Sequence, residues 1–372
     1  MATTQTPLHS FTPADPVGRG FREAVGDAID AFLTARGPEL AAIGPELDLT
    51  LGLARDFTGG GKRLRPAFCW WGHVAAAGAP SDPDALVRAA AGLDLLHVSA
   101  LVHDDVMDGS DTRRGLPAAH RQYQALHEQR AGRGSSEAFG RAGAILLGDL
   151  LVMWSEQMYA RSGLDLAALE RGRPVLEAMR TEVTCGQVLD VVAQSAPASA
   201  DLADALATAN RVVEFKTNRY TVQRPLQLGA ALAGGSDELL AHLAEFASPL
   251  GRAFQFRDDV LGVFGDVERT GKPAGDDLRE GKRTVLVAHA LAGSSPTAAS
   301  ELDQMLGNPG LDQCQVDRAR EIITASGALE AVERTIRDGH QQALAALGRA
   351  DVTDDGRTAL AALADACINR DY

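Results

Sequence analysis

Apolar residues recur along this chain at intervals of three and four. Leu93, Leu96, Ala100 and Leu101 form one such series, and Leu239, Leu243, Phe246 and Leu250 another. That period marks one face of an α-helix, whereas a half-buried strand would alternate every second residue. The chain is rich in Ala and Leu, which favour helix, and only 5% aromatic, which disfavours strand. Breakers cut the pattern at Gly59-Gly60-Gly61, Gly78-Ala79-Pro80, Gly234-Gly235 and Asn308-Pro309-Gly310. The spacing predicts helices over 18–35, 66–78, 83–107, 137–161, 165–194, 200–233, 237–263, 282–293, 298–306, 315–325, 328–347 and 356–369. No βαβ alternation and no short-period repeat is visible. Residues 130–136 read as a loop and residues 1–16 as a disordered tail. No interior linker divides the remainder, so 17–372 reads as a single all-α domain.

Composition narrows the class. The chain has 372 residues, 45% hydrophobic and 23% charged, which is globular usage and excludes disorder throughout. Its 36 Lys+Arg against 50 Asp+Glu give a net charge of −14, the wrong sign for a nucleic-acid footprint. No uninterrupted apolar run reaches the roughly 18 residues of a membrane span, so none is expected. The N-terminus lacks the basic start and apolar core of a signal peptide. Cys69, Cys185, Cys314 and Cys367 are scattered without a CxxC pair, neither a disulfide framework nor a zinc pattern. A reduced, cytoplasmic setting is the expectation.

The most informative stretch is Leu96-His97-Val98-Ser99-Ala100-Leu101-Val102-His103-Asp104-Asp105-Val106-Met107-Asp108. Asp104 and Asp108 fall on one helix face a turn apart, with Asp105 beside them. Like charges at this spacing repel, and a helix C-terminus disfavours anions further. A bound cation would offset both costs. Carboxylates without soft ligands suit Mg²⁺, which takes one or two carboxylates together with phosphate oxygens. Alone, a DDxxD reads equally well as a solvated helix cap. Arg113-Arg114-Gly115 follows directly, and Arg grips anionic oxygens in a fork, which favours the functional reading.

A second acid pair, Asp258-Asp259, ends the apolar helix that carries Phe254, Gln255 and Phe256. Lys272 and then Gly281-Lys282-Arg283-Thr284 follow it. Gly59-Gly60-Gly61-Lys62-Arg63-Leu64-Arg65-Pro66 is a basic glycine loop opening a helix, a geometry suited to anions. His97 lies seven residues before Asp104, near its face. Lys216-Thr217 lies in a helix interrupted by Pro225, which is expected to kink it, either as ordinary packing adjustment or to turn backbone carbonyls toward a cavity. Each lysine alone reads as a surface charge. Together they propose several Mg²⁺ ions bridging two acid clusters through one diphosphate.

In order, these pieces resemble the signatures of the trans-isoprenyl diphosphate synthases, or polyprenyl synthetases, and among them the geranylgeranyl diphosphate synthases. They are GGKRLRP (60–66), LLHVSALVHDDVMD (95–108), RRG (113–115), GD (148–149), GQVLD (186–190), KT (216–217), FQFRDD (254–259), GK (271–272) and EGKRT (280–284). The resemblance spans roughly 20–370. It implies an isoprenoid-synthase-type helical bundle around a deep central cavity, a homodimer, and head-to-tail condensation of isopentenyl diphosphate with an allylic diphosphate. It implies three Mg²⁺ ions per substrate-loaded site, held by Asp104, Asp108 and Asp258, with Asp105 and Asp259 assisting. Arg113, Lys216, Lys272 and Lys282 would contact the allylic diphosphate, with Thr217 and Gln255 nearby. Lys62, Arg65, His97 and Arg114 would hold isopentenyl diphosphate, and Gln187 and Asp190 would support the cavity.

One position departs from the family pattern. The second DDxxD ends here in Gly262, which puts its outer ligand in doubt; Asp266 belongs to the next Gly-Asp pair. A terpene cyclase would share the first motif but needs no second diphosphate site, and a non-catalytic partner subunit would tend to lose its acids. In the family, the fourth and fifth residues before the first Asp line the path of the growing tail. Here they are Ala100 and Ser99, both small, which implies a product longer than C15, most simply C20, with a farnesyl or longer-chain polyprenyl diphosphate synthase as the alternative. Leu96, Met153 and Trp154 are the expected floor.

Overall fold

The computed structural model describes residues 11–195, 201–265 and 275–369. Helices dominate it, and among the described residues the only strands are two of two residues each. The helices are α1 (Arg19–Ile43), α2 (Asp48–Thr58), α3 (Leu64–Ala77), α4 (Pro83–Asp108), α5 (Ala119–Gln129), α6 (Ser136–Ala160), α7 (Leu166–Ser195) and α8 (Leu202–Val212). A π-helical segment, Val213–Gln223, leads into α9 (Arg224–Leu232) and α10 (Asp237–Phe264). The C-terminal part holds α11 (Asp276–Arg279), α12 (Val285–Gly293), α13 (Pro296–Met305), α14 (Gln313–Ala325), α15 (Ala328–Arg349) and α16 (Asp354–Ile368).

Helix ends follow local chemistry. Asp82 caps α4 by accepting from the Ala85 N–H at 2.9 Å, with Pro83 in the first turn. Ser236 caps α10 and Thr284 caps α12 in the same way. The expected continuous helix over 200–233 is three pieces. Pro225 stands at the start of α9, where its missing N–H is tolerated, and the widening of the chain lies just before it in the π-helical segment.

Two hydrophobic clusters form the core. The larger joins α1 to α7 with α9, α15 and α16, and the smaller packs the C-terminal helices. Helix α10 contributes to both, Phe246 and Leu250 to the first and Phe256 and Val260 to the second.

Two sequence expectations change. Phe11 packs edge-on against Trp70, ring centroids 4.7 Å apart, and the Pro16 carbonyl accepts from Trp71 Nε1 at 3.0 Å. Ordered chain therefore begins at least at residue 11, inside the segment read as a tail; its polar composition hid one anchoring aromatic. Second, α4 and α6 are long and apolar enough to cross a membrane by length and composition. In α4, 78% of the apolar window is buried and its end carries the acids, so it is the core helix of the bundle. In α6 only 39% is buried, leaving an outward apolar face.

Candidate active site

Helices α4, α7 and α10, the π-helical segment and the turn after α11 enclose a cavity of about 450 Å³. Asp104, Asp108, Arg113, Asp190, Lys216, Thr217, Gln255, Asp258, Asp259 and Lys282 all line it. The two acid runs, some 150 positions apart in sequence, thus end at one chamber.

Backbone contact sets the first half. A Cβ on Gly186 would stand 2.4 Å from the Lys216 backbone N, so glycine alone lets α7 touch the π-helical segment. That approach brings Gln187 Nε2 to 2.6 Å from Asp104 Oδ1. It also places Lys216 Nζ 2.6 Å from Asp190 Oδ2 and 3.4 Å from Asp104 Oδ1. Burial disfavours the Lys216 ammonium, but the Asp104 and Asp190 carboxylates outweigh it and raise its pKa. Asp108 is pushed up to about 7 by burial and by the nearby Asp104 charge.

Arg113 and Arg114 diverge because of a hairpin. The strands Thr112–Arg113 and Leu116–Pro117 pair antiparallel, with Arg113 opposite Leu116. Arg114 (φ 54°) and Gly115 (φ 76°) form the two-residue turn, both in the left-handed region that such a turn requires. Arg113, on the strand, donates from Nε to the buried Asp105 Oδ1 at 2.9 Å. Asp105 therefore anchors Arg113 at the cavity wall. Arg114, in the turn, faces the glycine loop and donates to the Gly60 carbonyl at 2.9 Å.

On the other side, Thr217 Oγ1 donates to Gln255 Oε1 at 2.5 Å, and Gln255 Nε2 donates to Asp259 Oδ1 at 2.8 Å. Burial holds the Asp259 carboxyl well above the usual range, with the Asp277 and Asp258 charges adding to it. Asp259 is thus a buried support, and Asp258 lines the chamber beside it. Lys282 Nζ lies 3.2 Å from Asp277 Oδ1 and also contacts Glu280. Burial opposes its charge, yet Asp277, Glu280 and Asp108 raise its pKa well above the ordinary lysine value.

The basic residues cluster around His97, apart from the acid chamber. Arg65 stacks its guanidinium over the Tyr220 ring, 4.2 Å from the centroid, and donates to Thr221 Oγ1 at 2.7 Å. His97 is half-buried, its ring centroid 6.3 Å from that of Tyr220. Burial first, then the charges of Arg65, Arg114, Arg113 and Arg63, depress its pKa well below the usual range, so it is neutral at pH 7. Lys62 is exposed at the mouth of the loop. Lys62, Arg65, His97 and Arg114 do not line the acid chamber.

Lys272 and Asp266 lie outside the described residues. Ser99 is fully buried on the stripe of α4 that packs α6, between Gly92, whose Cβ would meet the Ser155 carbonyl, and His103, whose Nε2 lies 3.0 Å from the Ile145 carbonyl. Ala100 is half-buried, and neither residue lines the chamber, whereas Leu101 does. Met153 is 54% exposed on the outer face of α6 and cannot be a cavity floor; Leu96 and Trp154 are buried. Tyr220, Thr221, Asp94 and Asp277 escaped the sequence reading. Tyr220 and Thr221 follow Lys216-Thr217 by about one turn, and Asp277 stands in an acid doublet just before Lys282, the only signals available.

Among the described residues no three His, Cys, Asp or Glu side chains converge closely enough to hold a metal unaided. The donor set nevertheless fits Mg²⁺, whose coordination by one or two carboxylates is completed by phosphate oxygens and water. Paired same-face acids, one of them with its pKa raised by burial and by the neighbouring Asp104 charge, are suited to that arrangement.

A family model described as polyprenyl synthetase matches residues 50–323. Geranylfarnesyl diphosphate synthase of Aeropyrum pernix is 32% identical over 315 residues, covering 84% of this chain and 91% of the relative. Octaprenyl diphosphate synthase of Escherichia coli is 31% identical over 316 residues, covering 84% and 87%. The crystal structure of geranylgeranyl pyrophosphate synthase from Corynebacterium glutamicum, complexed with isoprenyl diphosphate and magnesium, superposes with a TM-score of 0.89 at 42% identity, covering 94% of this chain and 98% of that one.

Proposed function

The chain belongs to the polyprenyl synthetase family and is a trans-prenyl diphosphate synthase, and from that premise we propose a Mg²⁺-dependent enzyme whose main product is C20 geranylgeranyl diphosphate. Its substrates are isopentenyl diphosphate and an allylic diphosphate (dimethylallyl, geranyl or farnesyl). The observation that carries this reading is the division of the site. Two acid-ended helices share one chamber with Lys216 and Lys282, and Arg65, His97 and Arg114 cluster outside it.

The allylic C–O bond must break to leave a cation and diphosphate. Asp104, Asp108 and Asp258 would hold Mg²⁺, which when bound supplies countercharge to the leaving diphosphate. Lys216, Arg113 and Lys282, fixed by their carboxylate partners, bind and orient that group. Arg65, braced by Tyr220 and Thr221, and Arg114 orient the second diphosphate so that the homoallylic double bond faces the cation. The proton then lost from the new chain can pass to the released diphosphate. No side-chain nucleophile is required.

The C20 assignment rests on the small residue Ala100 before the first acid motif and on the identity shared with the Corynebacterium glutamicum enzyme. The reading includes a homodimer formed over α6, where Ile145, Leu146 and Met153 are exposed at helical spacing. It also includes a cytoplasmic location, in which the four free cysteines stay reduced. Labelled isopentenyl diphosphate, each allylic primer and Mg²⁺ or EDTA test it, with mass analysis of the dephosphorylated products. Condensation that survives EDTA defeats the metal reading, and a main product other than C20 defeats the chain-length reading. Light scattering of the purified protein tests the dimer.

A further inference from the structure

The π-helical segment Val213–Gln223 serves both clusters. From it Lys216 and Thr217 line the acid chamber, while Tyr220 and Thr221 brace Arg65 on the basic side. Its place in the bundle is fixed from α7 by one stripe of residues. Glu182, Gly186 and Asp190 follow each other at intervals of one helical turn. Gly186 meets the Lys216 backbone, and Asp190 holds Lys216 Nζ. Glu182 is the third contact, and it does not line the chamber.

Glu182 gathers two arginines. Its Oε1 accepts from Arg219 Nη1, within the segment, at 2.7 Å. Arg224, at the start of α9, grips both oxygens, from Nε at 2.8 Å and from Nη2 at 2.6 Å. Arg219 also donates from Nε to Glu214 Oε1 at 2.8 Å, and Glu214 Oε2 accepts from Asn218 Nδ2 at 2.8 Å. Asn218 is fully buried, and a Cβ on Gly251 of α10 would collide with its side-chain oxygen. The Glu182 side chain is only 16% exposed. Burial opposes its charge, yet the bonds from Arg224 and Arg219 outweigh it and hold the carboxyl below the usual range. A two-pronged arginine–carboxylate pair fixes orientation as well as charge. The network runs from Glu214 to Arg224, so Lys216, Thr217, Tyr220 and Thr221 all lie between its anchors.

We propose that Glu182 is a positioning residue for both substrates. By holding Arg219 and Arg224 it sets the π-helical segment so that Lys216 reaches one diphosphate while Tyr220 and Thr221 aim Arg65 at the other. Glu182 itself touches neither substrate; it aligns the two reactants relative to each other. The inference rests on the two-substrate reading of the site.

The test is a double-mutant cycle of Glu182→Gln with Arg65→Ala, read as kcat and both KM values, with thermal melting alongside. Glu182→Gln keeps the shape and removes the charge. It should raise KM for isopentenyl diphosphate and for the allylic diphosphate about tenfold each while keeping a cooperative melt. Loss of folded enzyme alone would lower kcat and leave both KM values unchanged. In the Arg65→Ala background, Glu182→Gln should add less than about twofold to KM for isopentenyl diphosphate, because no arginine is left to aim, and should still raise the allylic KM about tenfold. Arg219→Gln cuts the arm inside the segment and leaves the Arg224 fork intact. It should raise both KM values too, and it decides the question if Glu182→Gln does not fold. Earlier melting with both KM values at wild type would make the network purely structural, and the proposal falls. It falls too if the effects of Glu182→Gln and Arg65→Ala multiply fully in KM for isopentenyl diphosphate. An Arg65→Ala variant that shifts both KM values equally overturns the two-substrate reading first and this inference with it.

Discussion

Arg63 points away from the basic loop it belongs to and pairs with Asp94 inside the core, both side chains almost fully buried. Its backbone is left-handed (φ 56°), and its Nη2 also donates to the Thr58 carbonyl at 2.6 Å. Arg63 thereby clamps the glycine loop to α4 three residues before His97. Lys62 and Arg65 are left on either side of the clamp to meet an anion. Asp94→Asn keeps the shape but removes the charge, and breaking such a pair costs about 3 kcal/mol or more. The variant should denature at lower urea and raise KM for isopentenyl diphosphate more than KM for the allylic partner. A stability loss with both KM values unchanged would limit the pair to a structural role.

Asp104 receives Gln187 and Lys216 and stands one turn from Asp108. These partners hold the carboxylate in place, while the like charge of Asp108 opposes it. Asp104→Ala should leave the circular dichroism spectrum intact and lower turnover by at least about 10³-fold, the scale expected when a key stabiliser of developing charge is lost. Near-wild-type turnover in the folded variant would remove Asp104 from the metal site.

The basic pocket predicts a split between substrates. Arg65→Ala removes a charge, a stack on Tyr220 and a bond to Thr221, so it should exceed Lys62→Ala in effect. Each charged hydrogen bond is worth about 1.5–3 kcal/mol, or roughly tenfold to a hundredfold in KM for isopentenyl diphosphate. The allylic KM should move much less. Equal shifts for the two substrates would contradict separate sites.

His97 gives a pH signature. Its folded pKa lies well below its unfolded value near 6.5, so below that value the unfolded chain binds the extra proton. Stability should be independent of this group above about pH 7. It should fall as pH drops below about 6.5, by up to about 1.4 kcal/mol per pH unit, until the folded pKa is reached. Urea denaturation of wild type and His97→Gln between pH 7.5 and about 5 should show a smaller acid loss in the variant. Parallel curves would mean that His97 titrates alike in both states.

What the sequence revealed depended on contiguity. Helices bounded by Gly or Pro, such as α4 and α10, lie within a residue or two of expectation. Helix α5 was missed because only Ala119, His120, Tyr123 and His127 are buried in an otherwise polar stretch. Helix α1 runs through Pro38 to Ile43, beyond the expected end. The π-helical segment is invisible in sequence because apolar residues continue through it. Both acid runs and the Lys-Thr pair were legible as motifs. Asp94 and Tyr220 were not, since each acquires its role only from a residue far away in sequence.

The two small residues before the first acids are not equivalent, and this decides how product length should respond to them. Ser99 shares the α4 stripe of Gly92 and His103, which is pressed against α6. A ring there has no room, and overpacking of this kind costs about 1–3 kcal/mol or more. Ala100 lies one turn below Asp104, is half-buried, and is next to Leu101 on the chamber wall. A tail anchored by its diphosphate at Asp104 and running down that face must pass it. Ala100→Phe should therefore shorten the main product from C20 to C15 or less with Mn²⁺ binding unchanged. Ser99→Phe should instead lower the melting temperature and leave the product distribution of its folded fraction nearly as it was. Mass analysis of dephosphorylated products and thermal melts of both variants separate the two effects. Unchanged chain length in Ala100→Phe would place the tail along another wall of the bundle, and shortening by Ser99→Phe without destabilisation would mean that α4 and α6 part to admit it.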